Sequence, residues 1–219
     1  MDDGFSQLPL EVRHQFEKLT SSIILKNGGR RFRRILFTSY HRGEGTTTVS
    51  SNFARVLAED RRYRVLLLDA NTRAPGLAGK RRGEGDHIGF SDLFEHGVEN
   101  WSLPKPSSES NLTVIGSGNV VHHPSQVFDH KRFSKFMAGV LKLFHFVILD
   151  SSPIGRYYDS MVLAPHVDGV ILVVEAERTQ LSELKWARQM LEERSVPILG
   201  VVLNRRRFRI PSLIFHRFF

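Results

Sequence analysis

The sequence contains no cysteine among its 219 residues. That excludes disulfides and cysteine-ligated metal sites, and it fits a reducing compartment. No apolar run reaches the roughly 18 residues that a membrane-spanning helix needs. The N-terminus, Met1-Asp2-Asp3-Gly4, is acidic and lacks a signal-peptide core, so the expectation is a soluble, cytoplasmic protein. Helix-turn-helix, zinc-finger and aromatic RNA-binding signatures are missing too, which ranks nucleic acid below other anionic partners. Acidic residues are the scarcer charge: 23 Asp and Glu face 31 Lys and Arg, for a formal net charge of +8.

The basic residues cluster at Arg30, Arg31, Arg33 and Arg34, at Arg61, Arg62 and Arg64, at Lys80, Arg81 and Arg82, and at Arg205, Arg206, Arg207 and Arg209. Such clusters form either a solvated surface or an attraction to lipid headgroups, phosphate ligands or nucleic acid. A length of 219 residues with 41% hydrophobic composition suits one α/β domain with a sizeable core. The expected division is residues 1–204 as that domain, with an N-terminal helix over 9–25, and 205–219 as a basic aromatic tail.

One further absence matters most. The apolar run Ile35-Leu36-Phe37 leads through Ser39-Tyr40-His41-Arg42-Gly43-Glu44-Gly45 into Thr46-Thr47-Thr48-Val49-Ser50-Ser51-Asn52-Phe53-Ala54. Strand, Gly-rich turn and helix follow in the order of a phosphate-binding loop, in which lysine follows the second glycine and Ser or Thr comes next. Here Thr46 holds the lysine position and Thr47 keeps the hydroxyl. Gly43 and Gly45 provide backbone freedom, and a helix N-terminus favours an anion, so phosphate binding survives on paper. The lysine normally reaches the β- and γ-phosphates. Losing such a cation costs about 3 kcal/mol of transition-state stabilisation, or about a hundredfold in rate.

Continuous apolar strands are expected at 34–38, 65–69, 112–116, 146–150, 170–174 and 198–204. Helices are expected at 9–25, 47–60, 90–96, 131–143, 159–164 and 181–193, with a Gly/Arg/Pro-rich loop over 71–88. The alternation predicts a doubly wound, mostly parallel sheet covered by helices on both faces, with ligands at the carboxyl ends of the strands. The Gly-rich turn, Asp69, Asp150 and Asn204 all fall at such ends. Asp69 suits a magnesium ligand and is the candidate catalytic carboxylate, although a plain turn role also fits it. Asn71 cannot act as a general base. Asp150 suits the carboxylate that polarises metal-bound water. The candidate nucleotide-binding set is Gly43, Glu44, Gly45, Thr46, Thr47, Thr48 and Asn204. The candidate metal set is Thr47, Asp69 and Asp150, with ATP or ADP and Mg²⁺ as ligands.

In order and spacing, these segments resemble the bacterial tyrosine kinases of capsule and exopolysaccharide assembly, relatives of the MinD and ParA ATPases. The matching segments are Thr38-Ser39, Gly43-Glu44-Gly45, Asp69-Ala70-Asn71-Thr72-Arg73-Ala74-Pro75, Gly89-Phe90-Ser91-Asp92-Leu93, His123-Pro124-Ser125-Gln126-Val127, Asp150-Ser151-Ser152-Pro153, Asp168-Gly169-Val170 and Gly200-Val201-Val202-Leu203-Asn204-Arg205. The resemblance implies the P-loop fold, ATP with Mg²⁺, and a membrane-anchored chain-length regulator (a polysaccharide co-polymerase) as partner.

Four departures stand against tyrosine kinase activity. Arg42 and Thr46 replace the loop's proline and lysine, and Asn71 replaces a second carboxylate. The segment from Arg205 to Phe219 holds no tyrosine, where the family carries a tyrosine cluster. The family's Glu-x-x-Arg-x-x-Arg element is not recognisable between Glu11 and Lys18. The expectation is therefore a degenerate relative at the inner face of the bacterial membrane, regulating polysaccharide synthesis or export. It would bind the co-polymerase or an intact kinase, with an oligomer as one possible form. The tail, with arginines among Phe, Leu and Ile, suits an anionic membrane at about 1 kcal/mol per cation, or a fold back onto the core. The alternatives are an active autokinase or ATPase, with Arg42 in place of the lysine and Tyr40, Tyr63, Tyr157 or Tyr158 as acceptors, and a MinD- or ParA-like positioning ATPase. The latter needs a lysine early in its loop, near His41.

Overall fold

A computed structural model of the chain describes residues 8–25, 32–74, 89–91, 110–118 and 128–206. The expected helix at 90–96, most of the expected loop at 71–88, the segment His123 to Val127 and the tail beyond 206 lie outside the described residues.

The six strands are β1 (Arg34–Ser39), β2 (Val65–Asp69), β3 (Leu112–Ile115), β4 (Phe146–Asp150), β5 (Gly169–Glu175) and β6 (Ile198–Asn204). They form one sheet in the order β3-β2-β4-β1-β5-β6, and every adjacent pair is parallel. The helices are α1 (Leu10–Leu25), α2 (Thr46–Glu59), α3 (His130–Leu143), α4 (Asp159–Leu163), which runs into a 3₁₀ turn at Ala164–His166, and α5 (Leu181–Glu193).

The four inner strands read as unbroken apolar runs because both of their faces are covered. Ile35, Phe37, Val65, Leu67, Ile148, Ile171 and Val173 pack with Phe16 and Ile23 of α1 and Phe53, Ala54 and Leu57 of α2. The alternate residues Leu36, Leu66, Leu68, Val147, Leu149, Val170 and Leu172 pack with Phe133, Phe136, Met137 and Val140 of α3 and with Ala187 and Leu191 of α5. The rings of Phe37 and Phe53 lie 5.2 Å apart across the first layer. Arg13 ties α1 to α2 through Glu59 at 2.6 Å.

Part of the first basic cluster is internal rather than solvated. The Arg33 guanidinium donates to the carbonyls of Leu141, Phe144 and His145, so it caps the end of α3. The Asp168 carboxylate accepts the backbone N–H groups of Arg33 (2.9 Å) and Arg34 (2.8 Å) and pairs with the Arg34 guanidinium. This anchors the start of β1 to the start of β5. Neither a solvated surface nor an anionic partner accounts for these two half-buried arginines, which satisfy backbone carbonyls and a carboxylate of the same chain.

Candidate functional site

The strand order reverses around β1, which lies between β4 and β5. A crevice at the carboxyl ends of such strands is where open parallel sheets bind ligands. The Gly-rich turn rises from β1 into that crevice. Gly43 and Gly45 have φ of +90° and +93°, the left-handed region that other residues avoid. A Cβ added at Gly45 would sit 2.2 Å from Asn204 Nδ2, so only glycine fits there.

Asn204, at the end of β6, donates from Nδ2 to the Glu44 carbonyl at 2.8 Å. Glu44 is fully buried. Its carboxylate accepts the His41 N–H at 2.8 Å, the Glu175 N–H at 3.4 Å and the Thr179 hydroxyl. The Glu44 side chain therefore faces β5, and the loop is held from β5 and β6. Gly45 gives α2 no side-chain cap. The first turn of the helix thus keeps its N–H groups for an anion.

Thr46 opens α2 and is buried, so an uncharged hydroxyl stands at the base of the loop. Thr47 is half-buried beside Asp150, and Thr48 is exposed further along the helix. Asp150 is fully buried, and neither of its carboxylate oxygens has a hydrogen-bond partner among the described residues. Burial pushes its pKa up to about 7; the Thr47 and Ser50 hydroxyls pull the other way, and the Asp69 charge adds to the rise. The two hydroxyls are thus near enough to favour the anion. Asp69 pairs in register with Asp150 across β2 and β4. It also serves the turn that follows, accepting the Asn71 N–H at 3.0 Å. Asn71 in turn accepts the Ala74 N–H at 3.3 Å.

A buried carboxylate without a partner, next to a second carboxylate and a threonine hydroxyl, is a hard-oxygen set that suits a magnesium ion. No cluster of three or more His, Asp or Glu with metal-binding geometry occurs among the described residues, so any such ion takes its remaining ligands from water or phosphate. The structure thus brings Gly43, Gly45, Thr46, Thr47, Asp69, Asp150 and Asn204 to one edge. Thr48 is exposed in the first turn of α2, and the Glu44 side chain faces away toward β5.

Several neighbours escaped the sequence reading. Arg73 bridges to Asp159 at 2.7 Å and covers the Tyr157 ring at 4.4 Å. Ser152 Oγ also donates to Asp159, at 3.1 Å. Thr38, Ser151 and Ser160 form a buried hydroxyl network beneath the crevice. Arg178, on the turn after β5, donates to the Arg42 carbonyl at 3.5 Å and pairs with Glu175 at 2.8 Å. The local signal was a polar residue near a strand end; Arg73 meets Asp159 86 residues on and Thr38 meets Ser160 122 residues on, while Ser152–Asp159 and Arg178–Glu175 are local pairs that carry no motif.

No family model matches the chain. It is 30% identical over 183 residues to the tyrosine-protein kinase CpsD of Streptococcus pneumoniae, covering 81% of this chain and 78% of that one. It is 27% identical over 177 residues to CpsD of Streptococcus agalactiae, covering 81% and 77%. Among solved structures, the chimerical protein CapA2B2 superposes with a TM-score of 0.79 at 24% identity, covering 94% of this chain and 88% of that one. The septum site-determining protein MinD of Pyrococcus horikoshii, complexed with Mg-ADP, superposes at 0.62 and 21% identity, covering 84% and 76%. By sequence similarity the chain belongs to the bacterial tyrosine-kinase family, and it shares its fold with the MinD ATPases.

Proposed function

We propose that this chain is a regulator of capsular or exopolysaccharide synthesis that holds ATP or ADP with Mg²⁺ in the loop at 43–47 and transfers phosphate poorly. Thr46 carries this reading: it stands at the base of a phosphate cradle whose glycines, hydroxyl and carboxylates are otherwise in place. Backbone N–H groups and the α2 dipole hold an anion in its ground state. Rate requires charge stabilisation as the terminal phosphoryl group moves, and a neutral threonine supplies none. Thr47, Asp69 and Asp150 would hold the magnesium ion, which when bound neutralises phosphate charge. The Thr47 hydroxyl would orient toward it, and the two strand-end aspartates would supply negative charge.

The same reading assigns a membrane polysaccharide co-polymerase or an intact kinase as partner, at the inner face of the bacterial membrane. The family's role in capsule assembly supports it. No helix among the described residues is long and apolar enough to cross a membrane.

A second reading, an active autokinase, is favoured by Tyr158, which is 62% exposed, whereas Tyr40, Tyr63 and Tyr157 are half-buried. Titration of ATP with and without Mg²⁺, followed by turnover of the wild type and Thr46→Lys, separates the two. Binding in both proteins with turnover rising about a hundredfold in Thr46→Lys supports the first reading. Ordinary kinase turnover in the wild type overturns it.

A further inference from the structure

We infer that Arg178 adds positive charge to the ground-state binding of polyphosphate at the loop, beside a position 46 that supplies none. This rests on the nucleotide reading above and deepens it. Three observations carry it. The guanidinium lies over the loop: Nη2 donates to the Arg42 carbonyl at 3.5 Å, and Nη1 is 3.8 Å from where a Cβ on Gly43 would stand. Its backbone is held in place, because the adjacent Thr179 hydroxyl bonds the buried Glu44 carboxylate of the loop itself. The turn is closed by Thr179 N–H to the Glu175 carbonyl at 3.1 Å, with Glu177 at φ +64°. The third observation is the unpartnered, fully buried Asp150 carboxylate in the same crevice, which marks the loop as a ligand site independently of its helix terminus.

The electrostatics favour a swing toward ligand. Arg178 lies within reach of the negative charges of Glu44, Glu175 and Glu183, which would repel a polyphosphate if no cation stood nearby. Its ion pair to Glu175 is half-exposed and weakly held. When Arg178 leaves, Glu175 keeps Arg205 at 3.3 Å, so no carboxylate is stranded. A planar guanidinium with paired N–H donors suits phosphate oxygens better than the carbonyl it now touches. Arg42, the loop's own arginine, is exposed, and it is its backbone carbonyl that Arg178 contacts.

The test is calorimetric titration of ATP, ADP and AMP with Mg²⁺ against wild type, Arg178→Ala, Arg178→Lys, Thr46→Lys and the double variant Thr46→Lys/Arg178→Ala, each checked by thermal melting. The expected result is about a tenfold loss of ATP and ADP affinity in Arg178→Ala, with AMP within about twofold, an intermediate Arg178→Lys, and recovery in the double variant. Unchanged ATP affinity in Arg178→Ala overturns the assignment and leaves the nucleotide reading standing. Equal loss of ATP and AMP with a lowered melting temperature marks a purely structural turn and also overturns it. A wild type that binds neither ATP nor ADP removes the nucleotide reading itself, and Arg178 with it.

Discussion

Asn204 holds the Glu44 carbonyl at 2.8 Å from 160 residues away, and its Nδ2 fills the space where any side chain at Gly45 would begin. The last strand of the sheet thereby sets the shape of a loop that follows the first. These contacts fix the loop's shape without a ligand, and a preorganised cradle loses little entropy on binding.

Gly45→Ala is expected to cost about 2–4 kcal/mol, from the left-handed backbone together with the clash on Asn204. Asn204→Ala should cost about 1 kcal/mol by freeing the Glu44 carbonyl. The double variant should cost less than the sum, because removing the amide relieves the clash. Urea denaturation of the four proteins checks this; simple additivity would show that the two residues do not press on one another.

Asp159→Ala leaves Arg73, 23% exposed, without its carboxylate and removes the acceptor of Ser152 Oγ. A loss of about 2 kcal/mol is expected, measured by urea denaturation, with Asp159→Asn between it and wild type. The predicted loss is kept below that of a fully buried pair because water still reaches the arginine.

His166 and His145 make stability sensitive to acid. Burial, His130 and Arg34 hold the His166 pKa below its usual value, and Ser134, Phe128 and Phe133 complete its surroundings. Burial, Arg64 and Arg33 do the same for His145, whose Nδ1 accepts the Arg64 N–H at 2.9 Å and so must stay unprotonated. Both folded values lie below the unfolded one, so the unfolded chain binds more protons in acid. The stability they contribute is full above about pH 6.5 and is lost as the pH falls below it. His166→Gln should flatten the fall in melting temperature between about pH 7 and 5 relative to wild type. An unchanged slope would remove His166 from this role.

The sheet was readable in the sequence because inner strands covered on both faces must be continuous apolar runs. Val65–Asp69 and Phe146–Asp150 begin and end where those runs do, while the edge strand Ile198–Asn204 is also an apolar run although Val201 and Leu203 are exposed. Leu181–Glu193 was readable as a helix from its periodicity. The 3₁₀ turn at Ala164–His166 was not, since three residues carry no period. The common sheet edge of Gly43, Gly45, Asp69, Asp150 and Asn204 was legible because each ends a strand or lies in the turn that follows one. The inward turn of the Glu44 carboxylate and the pairing of Arg33 and Arg34 with the α3 terminus and Asp168 were not legible. Each depends on a partner more than a hundred residues away.

The sequence by itself determined the local covalent facts. A strand, a glycine turn and a helix follow one another, no lysine stands at position 46, and no tyrosine stands between Arg205 and Phe219. Only the tertiary structure decided which charges meet. Asp150 is left buried beside Asp69 because β4 inserts between β1 and β2, and Arg178 rests over the loop because β5 flanks β1 on the other side. Strand order sets which distant side chains share a crevice, and Coulomb interactions act on that proximity rather than on sequence separation.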